Sequence, residues 1–167
     1  SRIPVRAIPK TNYPFVLSGQ DLDLPKQAGT KRGKGAFAGA DALVLKDGQG
    51  HQKNIFMTQD TLICEISLGE RAVDQKGICL WTGLYREDGV YCQGVLQPFE
   101  DKTEATLIFP KCPLLPGKYI FSLGLWDEPR KKFIFCDHGV CSFQMVSRKQ
   151  DHGTVYLEHD WKWRLPS

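Results

Sequence analysis

The sequence predicts an all-β fold, an antiparallel β-sandwich, on three observations. Short segments that alternate apolar and polar residues recur at intervals of about 8–14 residues, as in sandwich domains. Turn residues separate these segments. No segment repeats its apolar residues with the 3.6-residue period of a helix. The chain has 167 residues, which is enough for one domain with a sizeable core.

The predicted strands follow one another from residue 40 onward. The hairpin between the third and fourth is indicated by Glu87-Asp88-Gly89, an acidic and glycine turn between two apolar segments. The predicted strands cover residues 40–45, 61–68, 78–85, about 90–96, 104–109, 118–126, 132–136, 140–146 and 153–157.

The first 35 residues differ from the rest in composition. They contain four prolines and then a Gly/Lys-rich block at 29–35, and both features interrupt regular structure. We therefore predict an extended leader or interdomain linker over residues 1–35 and the sandwich over residues 36–167. The block lacks the Gly-Lys-Ser/Thr ending of a phosphate-binding loop, so it indicates no ATPase chemistry. Because the chain begins with Ser1, we expect it to be a fragment of a longer protein.

The charge balance indicates no nucleic-acid partner. The formal net charge is only +3, and the basic excess lies in residues 1–35, with seven Lys/Arg against two Asp/Glu. Residues 36–167 carry fifteen Lys/Arg against seventeen Asp/Glu, a net charge of −2. A basic tail on a slightly acidic body is typical of a solvated linker. No apolar segment approaches the roughly 20 residues of a membrane-spanning helix, and no signal peptide is evident.

Six cysteines are present, but they do not indicate a disulfide framework or a metal site. The chain is long and apolar enough to fold without such cross-links, so we expect six free thiols in a reducing cytoplasm. A zinc site at Cys136, His138 and Cys141 is disfavoured, because three ligands in so short a segment can hardly converge on one ion. The sequence predicts no metal and no cofactor.

Residues 114–119, Leu-Leu-Pro-Gly-Lys-Tyr, refine the fold prediction. They match the pattern of a tyrosine corner, in which the Tyr119 hydroxyl bonds back to the preceding turn at the start of strand F. This predicts an immunoglobulin-like sandwich with residues 118–126 as strand F, 61–68 as strand B and 78–85 as strand C. Strand F contains no cysteine, so the B–F disulfide of antibody domains cannot form.

Strand alternation predicts a binding face. Strands C and F are neighbours in this fold, and alternation turns Trp81, Tyr85 and Trp126 away from the core around a floor of glycine and serine. Aromatic rings beside small residues predict a concave trough in which sugar rings stack, while later residues supply hydrogen bonds. The alternative is that the leader or a second subunit covers these rings. The predicted carbohydrate-binding residues are Trp81, Tyr85, Ser122, Trp126, Asp127, His138 and Gln144, with Ser142 beside them.

The order of motifs resembles a known family. The segment 114–127, the group Cys136-Asp-His138, the pair Ser142-Phe143 and the segment 153–161 together resemble the C-terminal domain of Wzt-type proteins, the ATP-binding subunits of bacterial ABC exporters for O-antigen and related polysaccharides. The resemblance extends over about residues 37–163. It implies an immunoglobulin-like sandwich that binds the exported polymer, often at its modified non-reducing end.

The resemblance also implies the setting of the domain. The full-length protein is expected to carry an ATPase domain and to join a membrane-embedded transporter subunit at the cytoplasmic face of the bacterial inner membrane. A dimer with exchanged terminal strands is implied, and we expect it to form through residues 153–163, which follow a polar stretch long enough to act as a hinge.

Together these observations predict a non-catalytic carbohydrate-binding module that gives an ABC transporter its substrate specificity. Two alternatives remain open. One is an immunoglobulin-like adaptor that docks a protein through the same aromatic face. The other is a glycoside-processing enzyme, which needs two carboxylates about 5–9.5 Å apart, and Asp127 and Asp137 are the pair considered.

Overall fold

The computed structural model describes residues 43–68, 76–98 and 104–166 of the chain. Every regular element within these residues is a β-strand. No helix in the described ranges is long and apolar enough to cross a membrane. The strands are β1 (Leu43–Lys46), β2 (Ile55–Met57), β3 (Leu62–Ser67), β4 (Ile78–Arg86), β5 (Tyr91–Pro98), β6 (Glu104–Phe109), β7 (Gly117–Asp127) and β8 (Lys132–Val146).

The strands form two sheets, and their order confirms the immunoglobulin-like sandwich. One sheet has the order β1-β3-β6 and the other the order β2-β8-β7-β4-β5. All neighbours are antiparallel except β2, which runs parallel to β8. The predicted strands B, C and F correspond to β3, β4 and β7, and C and F are neighbours as expected.

The core lies between the sheets and follows the two-residue period of the strands. On β7 the residues that face it are Tyr119, Phe121, Leu123 and Leu125, all of which are buried in the central cluster. Phe143 of β8 stacks on the Phe121 ring at a centroid distance of 5.4 Å. The opposite sheet contributes residues such as Leu45, Leu62 and Cys64.

The tyrosine corner is confirmed by its hydrogen bond. The buried Tyr119 hydroxyl donates to the backbone carbonyl of Leu115 at 2.6 Å. This bond ties the first residues of β7 to the turn that precedes them, where Gly117 has a φ of 155°. Burial raises the pKa of Tyr119 to about 12, so the hydroxyl remains a donor at neutral pH.

The turn between β4 and β5 also matches the predicted hairpin. The backbone N–H of Arg86 bonds to the Val90 carbonyl at 2.8 Å, and Gly89 takes a positive φ of 90°. The guanidinium of Arg86 pairs with Asp88 at 2.6 Å across the turn.

The structure differs from the predicted strands at three places. The short strand β2 was not predicted, because its three residues are too few to show alternation. The segments 132–136 and 140–146 are one strand, β8, interrupted by a bulge. The predicted strand at 153–157 is wrong, since only an isolated bridge between Val155 and Leu114 forms there. The leader at 1–35 and residues 40–42 of the first predicted strand lie outside the described residues.

All six cysteines are free thiols in the structure. Cys64 and Cys112 are buried in the core, and burial raises the pKa of both thiols, so they remain protonated at neutral pH. They act as small apolar side chains.

Tyr119→Phe tests the role of the corner. The change keeps the ring, which stacks on Phe143 at 5.7 Å, and removes only the hydroxyl that bonds to Leu115. Because a buried carbonyl then loses its donor, we expect the free energy of unfolding to fall by about 1–3 kcal/mol in urea denaturation. Unchanged stability would show that the corner hydrogen bond does not hold the start of β7.

Candidate functional site

The register of four strands defines the outer face of the five-stranded sheet. Residues of β5, β4, β7 and β8 that pair across this face form four rows of four. The rows are Pro98, Cys79, Trp126 and Phe133; Leu96, Trp81, Gly124 and Cys136; Gly94, Gly83, Ser122 and His138; and Tyr91, Tyr85, Ile120 and Ser142. His138 takes its place in the third row through the bulge of β8, where it approaches Ser122.

The aromatic residues lie on this face as predicted, but they are not exposed. Trp81 and Tyr85 are each 1% exposed and Trp126 is 2% exposed, although none of the three belongs to the central core cluster. The Phe133 ring contacts Trp81 at 5.1 Å and Trp126 at 5.0 Å, both edge to face. These residues therefore form a second apolar cluster, and the open aromatic trough that alternation indicated is absent.

The rings occupy the space that the glycines leave. A methyl group added at Gly83 would overlap the Trp81 and Tyr85 rings, and one added at Gly94 would overlap the Tyr91 hydroxyl. The two glycines of the third row, Gly83 and Gly94, are thus covered by rings from the rows on either side. Strand alternation identified the small residues correctly, but it could not show which way the large side chains lean.

Polar atoms meet where β8 bulges over Ser122. Three residues of β8, 138–140, lie opposite this one residue of β7, and Gly139 has a positive φ of 68°. Ser122 Oγ accepts the Gly139 N–H at 3.3 Å and lies 3.4 Å from His138 Nδ1. Cys136 Sγ lies 3.6 Å from His138 Nε2, and burial raises the pKa of this thiol to about 12.

Asp127 does not belong to the outer face. It occupies an inward position at the end of β7 and is buried, and its carboxylate accepts the Arg130 N–H at 3.1 Å and the guanidinium at 3.2 Å. Asp127 therefore caps the β7–β8 turn. Asp137 of β8 pairs with Leu123 of β7. Leu123 lies four residues before Asp127 on the same strand, a distance of about 13 Å along β7. The backbone positions of the two residues are thus separated by more than the roughly 5–9.5 Å between the carboxylates of a glycosidase.

An open groove lies at the other end of the outer face. Its volume is about 370 Å³, and Gln144 and Ser142 line it together with Lys118 and Ile120. Lys118 pairs with Gln144 across β7 and β8, and Gln144 pairs with Ile55 of β2. Asn54 and Glu87 complete the rim. Of the predicted site residues, Gln144 is exposed here, His138 is half-buried, and the other five are buried.

Four residues that shape this face were not singled out from the sequence. Tyr91 and Phe133 enclose the aromatic cluster, and Asn54 and Lys118 line the groove. Tyr91 and Phe133 could have been found, because Tyr91 is the first residue of β5 and Phe133 the second residue of β8, and each pairs with a predicted aromatic position. Asn54 could not, because it precedes the unpredicted strand β2.

The chain is similar in fold to a solved structure. A crystal structure of the C-terminal domain of Wzt superposes with a TM-score of 0.53 at 10% sequence identity. The match covers 73% of this chain and 81% of that chain. No family model and no curated protein matches the sequence. At this identity the likeness shows a shared β-sandwich fold.

Because the aromatic cluster is buried, replacing one of its tryptophans should lower the stability of the domain, whereas replacing an exposed tryptophan would not. Because Trp81 is 1% exposed and packs on Phe133, we expect Trp81→Ala to lower the free energy of unfolding by about 3–5 kcal/mol in urea. Gln144→Ala on the exposed part of the same face should change it by less than about 0.5 kcal/mol. A Trp81→Ala variant as stable as the parent would show that the ring is exposed in solution.

Proposed function

We propose that this domain is a non-catalytic carbohydrate-binding module. Its ligand is the bacterial polysaccharide that an ABC exporter moves, an O-antigen or a related polymer recognised at its modified non-reducing end. By binding that polymer the domain gives the transporter its substrate specificity. The ATPase domain and the contact with the membrane-embedded subunit belong to the full-length protein, at the cytoplasmic face of the inner membrane.

The open groove is the observation that carries this proposal. Its polar groups are the side-chain amides of Asn54 and Gln144, the Ser142 hydroxyl, and two opposite charges on Glu87 and Lys118. Amides and hydroxyls both donate and accept hydrogen bonds, as sugar hydroxyls require. The partly buried Ile120 gives the floor an apolar surface for the C–H face of a ring.

The similarity in fold supports the proposal that this domain is part of an exporter subunit. The neighbour in fold is described as the C-terminal domain of Wzt, and the sequence motifs resemble the same class of exporter subunit. The wide spacing of Asp127 and Asp137 favours binding over hydrolysis. Incubation with the polysaccharide should accordingly leave its chain length unchanged.

Binding can be measured with bacterial O-antigen polysaccharides on a glycan array and by calorimetry. Gln144 is exposed and lines the groove, so we expect Gln144→Ala to weaken polysaccharide binding about tenfold without loss of stability. Gln97→Ala makes the same chemical change on the edge strand β5, outside the groove, and should bind like the parent.

The same experiments also distinguish a carbohydrate-binding module from an immunoglobulin-like adaptor that binds a protein. A protein ligand captured through this face, with no polysaccharide binding, would favour the immunoglobulin-like adaptor. Equal loss of affinity in Gln97→Ala and Gln144→Ala would show that the groove is not the binding site.

We further propose that the domain forms a homodimer through residues 153–163. The segment is anchored at its beginning, where Leu115 N–H bonds to the Thr154 carbonyl at 3.0 Å and Tyr156 N–H to the Pro113 carbonyl at 2.6 Å. Beyond this anchor the tail is exposed: Trp161 is 81% exposed, and Trp163, which stacks on it at 6.4 Å, is 93% exposed. Two neighbouring exposed tryptophans are typical of an interaction surface.

The double substitution Trp161→Ala, Trp163→Ala tests this interface. We expect the parent to sediment as a dimer at micromolar concentration and the variant as a folded monomer, because the tryptophans supply the largest apolar area of the tail. Ile108→Ala, which removes an exposed apolar side chain of β6, should remain dimeric. A variant that dimerises like the parent would place the interface elsewhere.

A further inference from the structure

The hydroxyl of Tyr85 is buried and lacks a hydrogen-bond partner. Tyr85 is 1% exposed, and no donor or acceptor in the described ranges bonds to its hydroxyl. Buried hydroxyls in folded proteins almost always have a partner, because leaving one unpaired is unfavourable. Phenylalanine would fill the same space without this penalty. The hydroxyl therefore calls for an explanation other than packing.

The neighbouring polar atoms are paired, which makes Tyr85 the exception. The Tyr91 hydroxyl accepts the Trp81 Nε1–H at 3.3 Å, and Ser122 Oγ accepts the Gly139 N–H. The Tyr85 ring lies against Tyr91 at 4.9 Å and leans over Gly83, the residue opposite Ser122. Burial, and then the proximity of Tyr91 and Cys136, raises the pKa of Tyr85, so the hydroxyl is a neutral donor.

The polar cluster next to Tyr85 is open to competition from a ligand. Cys136 and His138 are only half-buried. The 3.4 Å between His138 Nδ1 and Ser122 Oγ exceeds the range of about 2.7–3.2 Å for a strong hydrogen bond, and the Cys136 thiol, 3.6 Å from His138 Nε2, is a weak hydrogen-bonding group. A ligand hydroxyl can therefore compete with them. Ile120 and Ser142, in the same row as Tyr85, also line the groove, so one ligand can reach both places.

The four rows contain no charged residue, and this favours an uncharged ligand. None of the sixteen residues in the four rows is Asp, Glu, Lys or Arg, although these make up 25% of the chain. The charged residues that line the groove, Lys118 and Glu87, lie beyond the last of these rows, and Lys118 is four residues from Ser122 along β7, about 13 Å. A carboxylate or phosphate seated over Ser122 would therefore lose its hydration and gain no opposite charge from the rows. A neutral sugar unit loses far less on the same transfer.

We propose that Tyr85 is a ligand-binding residue, and that a hydroxyl or amide of an uncharged sugar unit seated over Ser122 and His138 provides the hydrogen bond its side chain lacks in the free domain. This inference rests on the proposed carbohydrate-binding function. Alternation predicted Tyr85 as a carbohydrate-binding residue through its ring, whereas here the binding group is its hydroxyl and the ligand is an uncharged sugar unit.

Tyr85→Phe gives a pair of effects that a purely structural tyrosine would not give. Removing the unpaired hydroxyl should raise the melting temperature of the free domain by about 2–4 °C and weaken glycan binding about tenfold. Tyr91→Phe is the matched control on the neighbouring strand, β5. Because it removes a hydrogen bond that the free domain makes, it should lower the melting temperature and leave affinity within about threefold.

The ligand class is tested on an array at pH 8, where histidine is ordinarily neutral. The probes are oligosaccharides of glucose, galactose and mannose and the uronic-acid oligomers of the same three sugars. We expect binding to neutral members and at least tenfold weaker binding to their uronic-acid counterparts. Equal or stronger binding of the uronic acids would overturn this inference alone, as would a Tyr85→Phe variant with lower stability or unchanged affinity. Absence of binding to every oligosaccharide and to the O-antigen polysaccharides would overturn the proposed function as well.

Discussion

The register of β7 with its two neighbours is the constraint on which the rest of the structure depends. Because side chains alternate along a strand, a shift of one residue would exchange the core residues of β7 with those of its outer face. Tyr119 opposes such a shift, since its hydroxyl bonds to the turn that begins the strand. Phe121 and Leu123 then enter the core, and Ser122 and Trp126 turn outward. The groove and the aromatic cluster both follow from this placement.

The five-stranded sheet carries apolar packing on both faces. The inner face packs on the three-stranded sheet, and at one end of the outer face Trp81, Trp126 and Phe133 pack on one another. That cluster covers the sheet and leaves the groove at the opposite end open. Trp81 and Trp126, which alternation assigns to ligand contact, therefore stabilise the face, while smaller polar residues line its accessible part.

Much of the fold could be predicted from the sequence, because it rests on local signals. The Pro-Gly turn before Tyr119 and the alternation of β7 are both local, and they indicated the topology. The site was less accessible to prediction, because it depends on side-chain direction and on a bulge. Alternation placed Trp81 outward but could not show that its ring covers Gly83. The turn after β7 needs a buried cap, and Asp127 fills that role in place of the predicted ligand contact.

Amide chemical shifts during a titration with O-antigen polysaccharide report which face of the domain contacts the ligand. We expect the largest changes at Ser122, His138, Ser142 and Gln144, on the outer face of the five-stranded sheet. Changes confined to β1, β3 and β6 would contradict this expectation.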